Sequence, residues 1–221
     1  ICSRVASGLG GSSEPPSADP APADGEWEQL CSPKRFAAGF GLLVLVSFYG
    51  VLLGSGTFVL RDFSVFGYPL AHYHRTAFWN GEIPLWNPLS YGGIPFLAQW
   101  NTLTLYPGSL LYLLAPLPWS LNFFCVTHLY LAGLGMYFLV RKLSGSNAAG
   151  VVAGMAYGFG GLVQNSLMWP NNIAAFGCLP WVLLAVHGAV TAGGRAVLLA
   201  MLAGAMQMLT GAPEIILFTW L

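Results

Sequence analysis

FAAGFGLLVLVSFYGVLLGSGTFVL, residues 36–60, runs as an almost unbroken apolar stretch from the basic pair Lys34 and Arg35 to the charged pair Arg61 and Asp62. A helix rises about 1.5 Å per residue, so about 20 residues cross a hydrocarbon layer roughly 30 Å thick. The stretch is therefore long enough to be a membrane helix, and Asp62 is a carboxylate at its mouth. An ionisable group at that depth is a functional candidate.

Composition points the same way. Of 221 residues 56% are hydrophobic and 7% are charged, against about 25% charged in an ordinary soluble domain. Such a chain cannot cover itself with solvated groups, so lipid is its expected main solvent. Eight basic and eight acidic residues give a formal net charge of zero. No polyanion-binding surface is implied, and nucleic acid is not an expected partner. Cys2, Cys31, Cys125 and Cys178 are far apart and form no CxxC pair; they read as unpaired thiols. The chain opens on Ile1 and stops at Leu221 inside the apolar run IILFTWL, so a fragment of a longer polypeptide is expected.

Five spans are predicted, about 36–59, 119–140, 148–166, 173–190 and 196–212, with a partial span from 215. Lys34, Arg35, Arg141, Lys142 and Arg195 then fall on one side and Arg61 and Arg75 on the other. The excess of basic residues makes the first side cytoplasmic, together with the amino terminus. The fold class is all-α: a polytopic transmembrane helix bundle with a large extracytoplasmic loop, 61–118, containing interfacial or re-entrant helices. Residues 103–117 are apolar but short and broken by Pro107 and Pro116, so they are read as lying at the interface. Residues 1–33, acidic and rich in Pro, Gly and Ser, read as a disordered tail, with Trp27 its candidate docking residue. They precede a transmembrane domain, 34–221. The glycine clusters at 150–161 and 200–206 read as helix-packing faces, since they lack a phosphate-loop pattern.

The outer loop is crowded with Tyr68, Tyr73, Trp79, Trp86, Tyr91 and Trp100. Aromatic side chains with polar tips favour the membrane interface, where they can stack on a sugar ring or simply anchor the protein. Within this loop the string NGEIPLWNPLSYGGIPF (80–96), followed by LAQWNTLTLYP (97–107), by WP to PW (169–181) and by TGAPE (210–214), resembles the amino-terminal part of the YfhO-like bacterial membrane proteins. These are related to the GT-C glycosyltransferases. The resemblance covers about residues 36–221. It implies transfer of a sugar from a polyprenyl-phosphate donor on the extracytoplasmic face of the bacterial inner membrane, with Asp62 in the place of the family's loop acid.

Sugar transfer to a hydroxyl needs a base and a positive group facing the departing phosphate. Asp62 is the expected base, or a ligand for a divalent metal. Glu214 is the other carboxylate able to complete a catalytic site, because 165–172 (NSLMWPNN) offers amides only. Candidate substrate-binding residues are Arg61, His72, His74, Arg75, Glu82, Trp86 and Asn87. In a simpler account Arg61 and Asp62 are an ion pair that ends a helix. His72 and His74 would share a face only in extended backbone, so a metal site there is disfavoured. His128 and His187 lie within spans, where histidine usually hydrogen-bonds inside the bundle but can also ligate a pigment.

The alternative to an enzyme is a noncatalytic transmembrane subunit of a larger membrane complex, contacting pigment, lipid or other subunits. A transporter is less consistent with the sequence, since no span centre carries a carboxylate.

Overall fold

Phe36, Phe40 and Val44, spaced four apart, put three buried apolar side chains on one side of the helix α2, Pro33–Ser47. Its other sides carry exposed Leu42, Leu45 and Val46. Proline at the first turn starts this helix without losing a hydrogen bond. The computed structural model describes residues 23–59 and 61–221, so the expected disordered tail lies outside the described residues over 1–22. Residues 23–30, read as the rest of that tail, form a helix instead, α1 (Ala23–Leu30).

The first apolar run is continuous in composition but not in conformation. Helical backbone breaks at Phe48, resumes for one turn in α3 (Tyr49–Leu52), and ends before Gly54, whose φ is 77°. Two glycines and a serine, Gly54, Ser55 and Gly56, fold back so that Ser55 Oγ and Gly56 N both donate to the Gly50 carbonyl (2.9 Å each). Glycine's freedom at positive φ and its low helix propensity explain why the helix expected over 36–59 stops early. Asn122 then accepts from Thr57 Oγ1 (3.2 Å) and Phe58 N (3.4 Å), pinning the chain as it leaves.

The segment from Phe63 to Leu117 wraps one end of the bundle. It holds a π-turn (Phe63–Gly67), α4 (Tyr68–Trp79), two-residue antiparallel strands β1 (Trp86–Asn87) and β2 (Ile94–Pro95), two 3-10 turns, and α5 (Leu110–Leu114). Arg75 Nε donates to the Ala115 carbonyl (3.2 Å) and Trp79 Nε1 to the Leu113 carbonyl (2.8 Å), clamping α4 onto α5. The five residues of α5 are too few to cross a bilayer.

The structure is mostly helical, and among the described residues two helices are long and apolar enough to cross a membrane: α6 (Trp119–Ser144, 26 residues) and α9 (Pro170–Ala192, 23 residues). Between them stand α7 (Asn147–Gly158) and α8 (Gly161–Asn165). The helix expected over 148–166 is thus interrupted at Phe159 and Gly160. After α9 come α10 (Arg195–Met208) and α11 (Pro213–Trp220).

Helix α6 is central, packed by α7 on one side and α9 on another. Gly150, Gly154 and Gly158 repeat every fourth residue along α7 and face α6. A Cβ on Gly154 would lie 2.7 Å from the Gly133 carbonyl, and one on Gly150 would lie 2.9 Å from that of Tyr137. The glycines of the 150–161 cluster therefore serve close backbone approach, as expected of a helix-packing face.

The amino-terminal helix reaches the turn between α6 and α7. The Glu28 carboxylate accepts from Ser146 Oγ and Asn147 N (2.7 Å each), and Tyr137 donates to the Cys31 carbonyl (2.8 Å). Those hydrogen bonds hold Glu28 below the usual carboxylate range. Glu28 is the docking residue, while Trp27 is exposed. Lys34, Arg35, Arg141 and Lys142 consequently gather at this end, and the wrapped segment 61–118 sits at the other.

Candidate functional site

Three short segments meet at the wrapped end. One is Gln99–Asn101 beside a 3-10 turn (Trp100–Thr102); the second is Trp169–Asn172 at the start of α9; the third is Gly211–Glu214 at the start of α11. Gly211 has a φ of 69°, and the Trp100 carbonyl sits so close that a Cβ there would collide with it. Asn171 is buried and donates Nδ2 to the Gly211 carbonyl (3.2 Å) and to Asn172 Oδ1 (2.9 Å). Trp169 is fixed from behind by Phe66, with ring centroids 5.6 Å apart.

Together they enclose an open cavity of about 440 Å³, walled by Trp100, Trp169, Gln99, Asn101, Asn172 and Glu214. Volumes of 300–1,000 Å³ suit a small-molecule ligand. Among the described residues its walls offer two indole rings, several amides, a single carboxylate, and no lysine, arginine or histidine. The amide oxygens of Gln99 and Asn101 are shielded from water and have no hydrogen-bond partner. A buried acceptor left unpaired costs about 1–3 kcal/mol.

Of the two carboxylates expected to act together, only Glu214 lines this cavity. Asp62 stands half-buried at the start of the π-turn and does not use its side chain to cap it. That turn packs against the cavity's outer wall: Phe66 meets Trp169, and Gly67 abuts the Pro170 ring. Arg61 is exposed with a φ of 45°.

The remaining sequence candidates are placed elsewhere. Helical backbone sets His72 outward and His74 inward, so the two do not form a pair. Burial depresses the His74 pKa to about 4, and its Nδ1 lies 3.2 Å from the Tyr112 hydroxyl. Tyr112, itself buried, is raised above the ordinary phenol range and donates to Ser109 Oγ (3.0 Å). Arg75 is engaged by Ala115 and stacks over Trp79 at 5.8 Å. Asn87 is buried, its Oδ1 accepting from Leu89 N (2.9 Å) in a side-chain-closed turn. Trp86 lies flat on Gly93, and its carbonyl accepts from Tyr73 (2.7 Å). Glu82 is exposed at the edge of a second cavity, mostly apolar, beside Phe78, Leu105 and Leu110.

His128 has both ring nitrogens engaged. Nδ1 donates to the Phe124 carbonyl (2.7 Å), so Nε2 accepts from the Tyr106 hydroxyl (2.8 Å). Neither is free to ligate a pigment. Among the described residues, no three His, Cys, Asp or Glu side chains gather to hold a metal. In the cavity, Glu214 would be the one charged ligand for a divalent metal among the described residues, with amide oxygens beside it.

No family model, curated protein or solved structure matches this chain. The reading of the site therefore rests on its own chemistry. The amide side chains of Gln99, Asn101, Asn171 and Asn172 went unread as site residues in the sequence. The available signal was the repeated neighbourhood of tryptophan and amide, QWN at 99–101 and WPNN at 169–172, in two segments expected on the same face.

Proposed function

We propose that this chain is a multi-pass protein of the bacterial inner membrane, GT-C-like, with its amino terminus in the cytoplasm. In this reading the tryptophan-amide cavity opens extracytoplasmically and holds a sugar carried by a polyprenyl phosphate. The observation that carries the reading is the cavity's lining. Indole faces stack on the apolar face of a pyranose, while amides and a carboxylate hydrogen-bond its hydroxyls. The five basic residues Lys34, Arg35, Arg141, Lys142 and Arg195 against Arg61 and Arg75 support the orientation.

In the reaction, the bond between the sugar's anomeric carbon and the phosphate oxygen breaks, and its electron pair leaves with the phosphate. An acceptor hydroxyl forms the new bond to that carbon and gives its proton to Asp62, whose carboxylate is not committed to capping the turn it begins. Glu214 orients the sugar from inside the cavity. Arg61, exposed beside Asp62, faces the departing phosphate.

The test is sugar transfer by the protein in proteoliposomes. Asp62→Asn should lower the rate about 10²–10⁴-fold, the usual contribution of a positioned base, while sugar binding persists. Unchanged transfer by folded Asp62→Asn protein would refute the assignment. A second reading, the noncatalytic membrane subunit, is favoured by one observation: Asp62 and Glu214 do not line one cavity. It requires that the cavity bind its ligand with no transfer by the wild type.

A further inference from the structure

The cavity's chemistry is one-sided. Among the described residues its only charged side chain is Glu214, and no basic residue joins it. The oxygens Gln99 Oε1 and Asn101 Oδ1, acceptors without a partner among the described residues, are sealed from solvent and lie behind the surface that the open cavity presents. Two indoles, Trp100 and Trp169, complete the lining. A carboxylate and aromatic faces both favour the same kind of group, a hydrogen-bond donor carrying positive charge. They disfavour a phosphate, which would bring negative charge against Glu214 and find no cation there.

We infer that the cavity selects a protonated amine flanked by hydroxyls, the ammonium meeting Glu214 and the hydroxyls meeting the amides. Such a group is offered by an unacetylated amino sugar; the ethanolamine headgroup of a lipid offers the ammonium alone, its hydroxyl being esterified to a phosphate that stays outside the cavity. Terminal amide torsions are soft, so Gln99 and Asn101 can turn their unpaired oxygens to the ligand and recover the hydrogen bonds they lack. Glu214 stands in the first turn of α11 and Asn171 ties the start of α9 to Gly211, so both walls are set on helices. This inference rests on the cavity being the ligand site of the proposed function, but not on Asp62 acting as a base.

Binding is read from tryptophan fluorescence of the whole chain in nanodiscs, titrated with glucosamine, N-acetylglucosamine or glucose below the amine's pKa. A Trp100→Phe variant reports which part of the signal belongs to the cavity. Glucosamine should bind at least about tenfold tighter than either neutral sugar, as expected when one hydrogen bond becomes charge-assisted. Glu214→Gln should cut that preference to less than about threefold. Equal binding of all three sugars would overturn the amine selection and leave the saccharide reading standing. If no sugar binds, both fall, unless phosphatidylethanolamine in the disc gives the same Glu214-dependent signal, which supports the ammonium through its lipid source. Glucosamine binding that is unaffected by phosphatidylethanolamine supports the sugar as the source.

Discussion

Gly211 shows how much of the site depends on a single backbone position. With φ at 69° and the Trp100 carbonyl against it, the residue permits both the left-handed turn before α11 and the approach of the 99–101 segment. Alanine would strain the turn by about 1 kcal/mol and also collide with Trp100. Gly211→Ala should therefore destabilise the protein by more than about 2 kcal/mol, read as a lower thermal midpoint in detergent, and loosen the cavity. The control is Gly39→Ala in α2, where nothing lies within 4 Å of the added methyl and alanine should stabilise by up to about 1 kcal/mol. Equal effects of the two substitutions would show that the contact with Trp100 is not as described. From sequence, TGAPE marked Glu214 as a candidate, but nothing marked Gly211. Its role comes from a carbonyl more than a hundred positions away.

At the scale of elements, α4 and α5 depend on a buried neutral histidine. His74 is held against Tyr112 and Phe96, with Arg75 and Trp79 clamping the same pair of helices. Its pKa in the fold, about 4, lies below the ordinary value of 6.5, so the unfolded state takes up the proton first. Stability contributed by the neutral ring is intact above pH 6.5, falls as the pH drops below it, and is fully lost below about 4. The loss should reach up to about 3 kcal/mol. Thermal midpoints measured from pH 7 to pH 4 should fall more steeply for the wild type than for His74→Phe, which retains Tyr112 bonded to Ser109. Parallel curves would remove His74 as the titrating group. The sequence made His72 and His74 candidate substrate-binding residues, because both lie near Asp62 in the outer loop. It could not say that the loop forms a helix here, and a helix turns residues two apart by about 200°.

For the whole molecule, the arrangement of ends follows from contacts that cross the chain. Glu28 on the turn between α6 and α7 fixes one end, and Asn122 on Thr57 fixes the other. In the proposed orientation the cavity end faces outward. A cysteine at exposed Ile83 should react with an impermeant thiol reagent added to intact cells, whereas one at exposed Leu143, in the last turn of α6, should react only after permeabilisation. The reverse pattern would overturn the orientation and the outward cavity together. The two long apolar helices were legible in composition and length alone, because hydropathy and residue count are local properties. So were the glycine faces of α7, since a cluster of small side chains already implies close packing. The early end of the first helix was written in Gly54, Ser55 and Gly56, but apolar neighbours on both sides masked it.

What the amino-acid order determined by itself was therefore an apolar, mostly helical chain, charged at its helix ends and aromatic between 61 and 118. Only the tertiary structure decided that Gln99, Asn101, Asn171 and Glu214 share a cavity and that Asp62 stands outside it. The reason is physical: apolar periodicity sets which stretches coil and which faces pack, whereas a polar cavity is made by three short segments, two of them helix starts, meeting. Their meeting depends on one glycine's φ and one asparagine's hydrogen bonds, which leave no periodic trace along the chain.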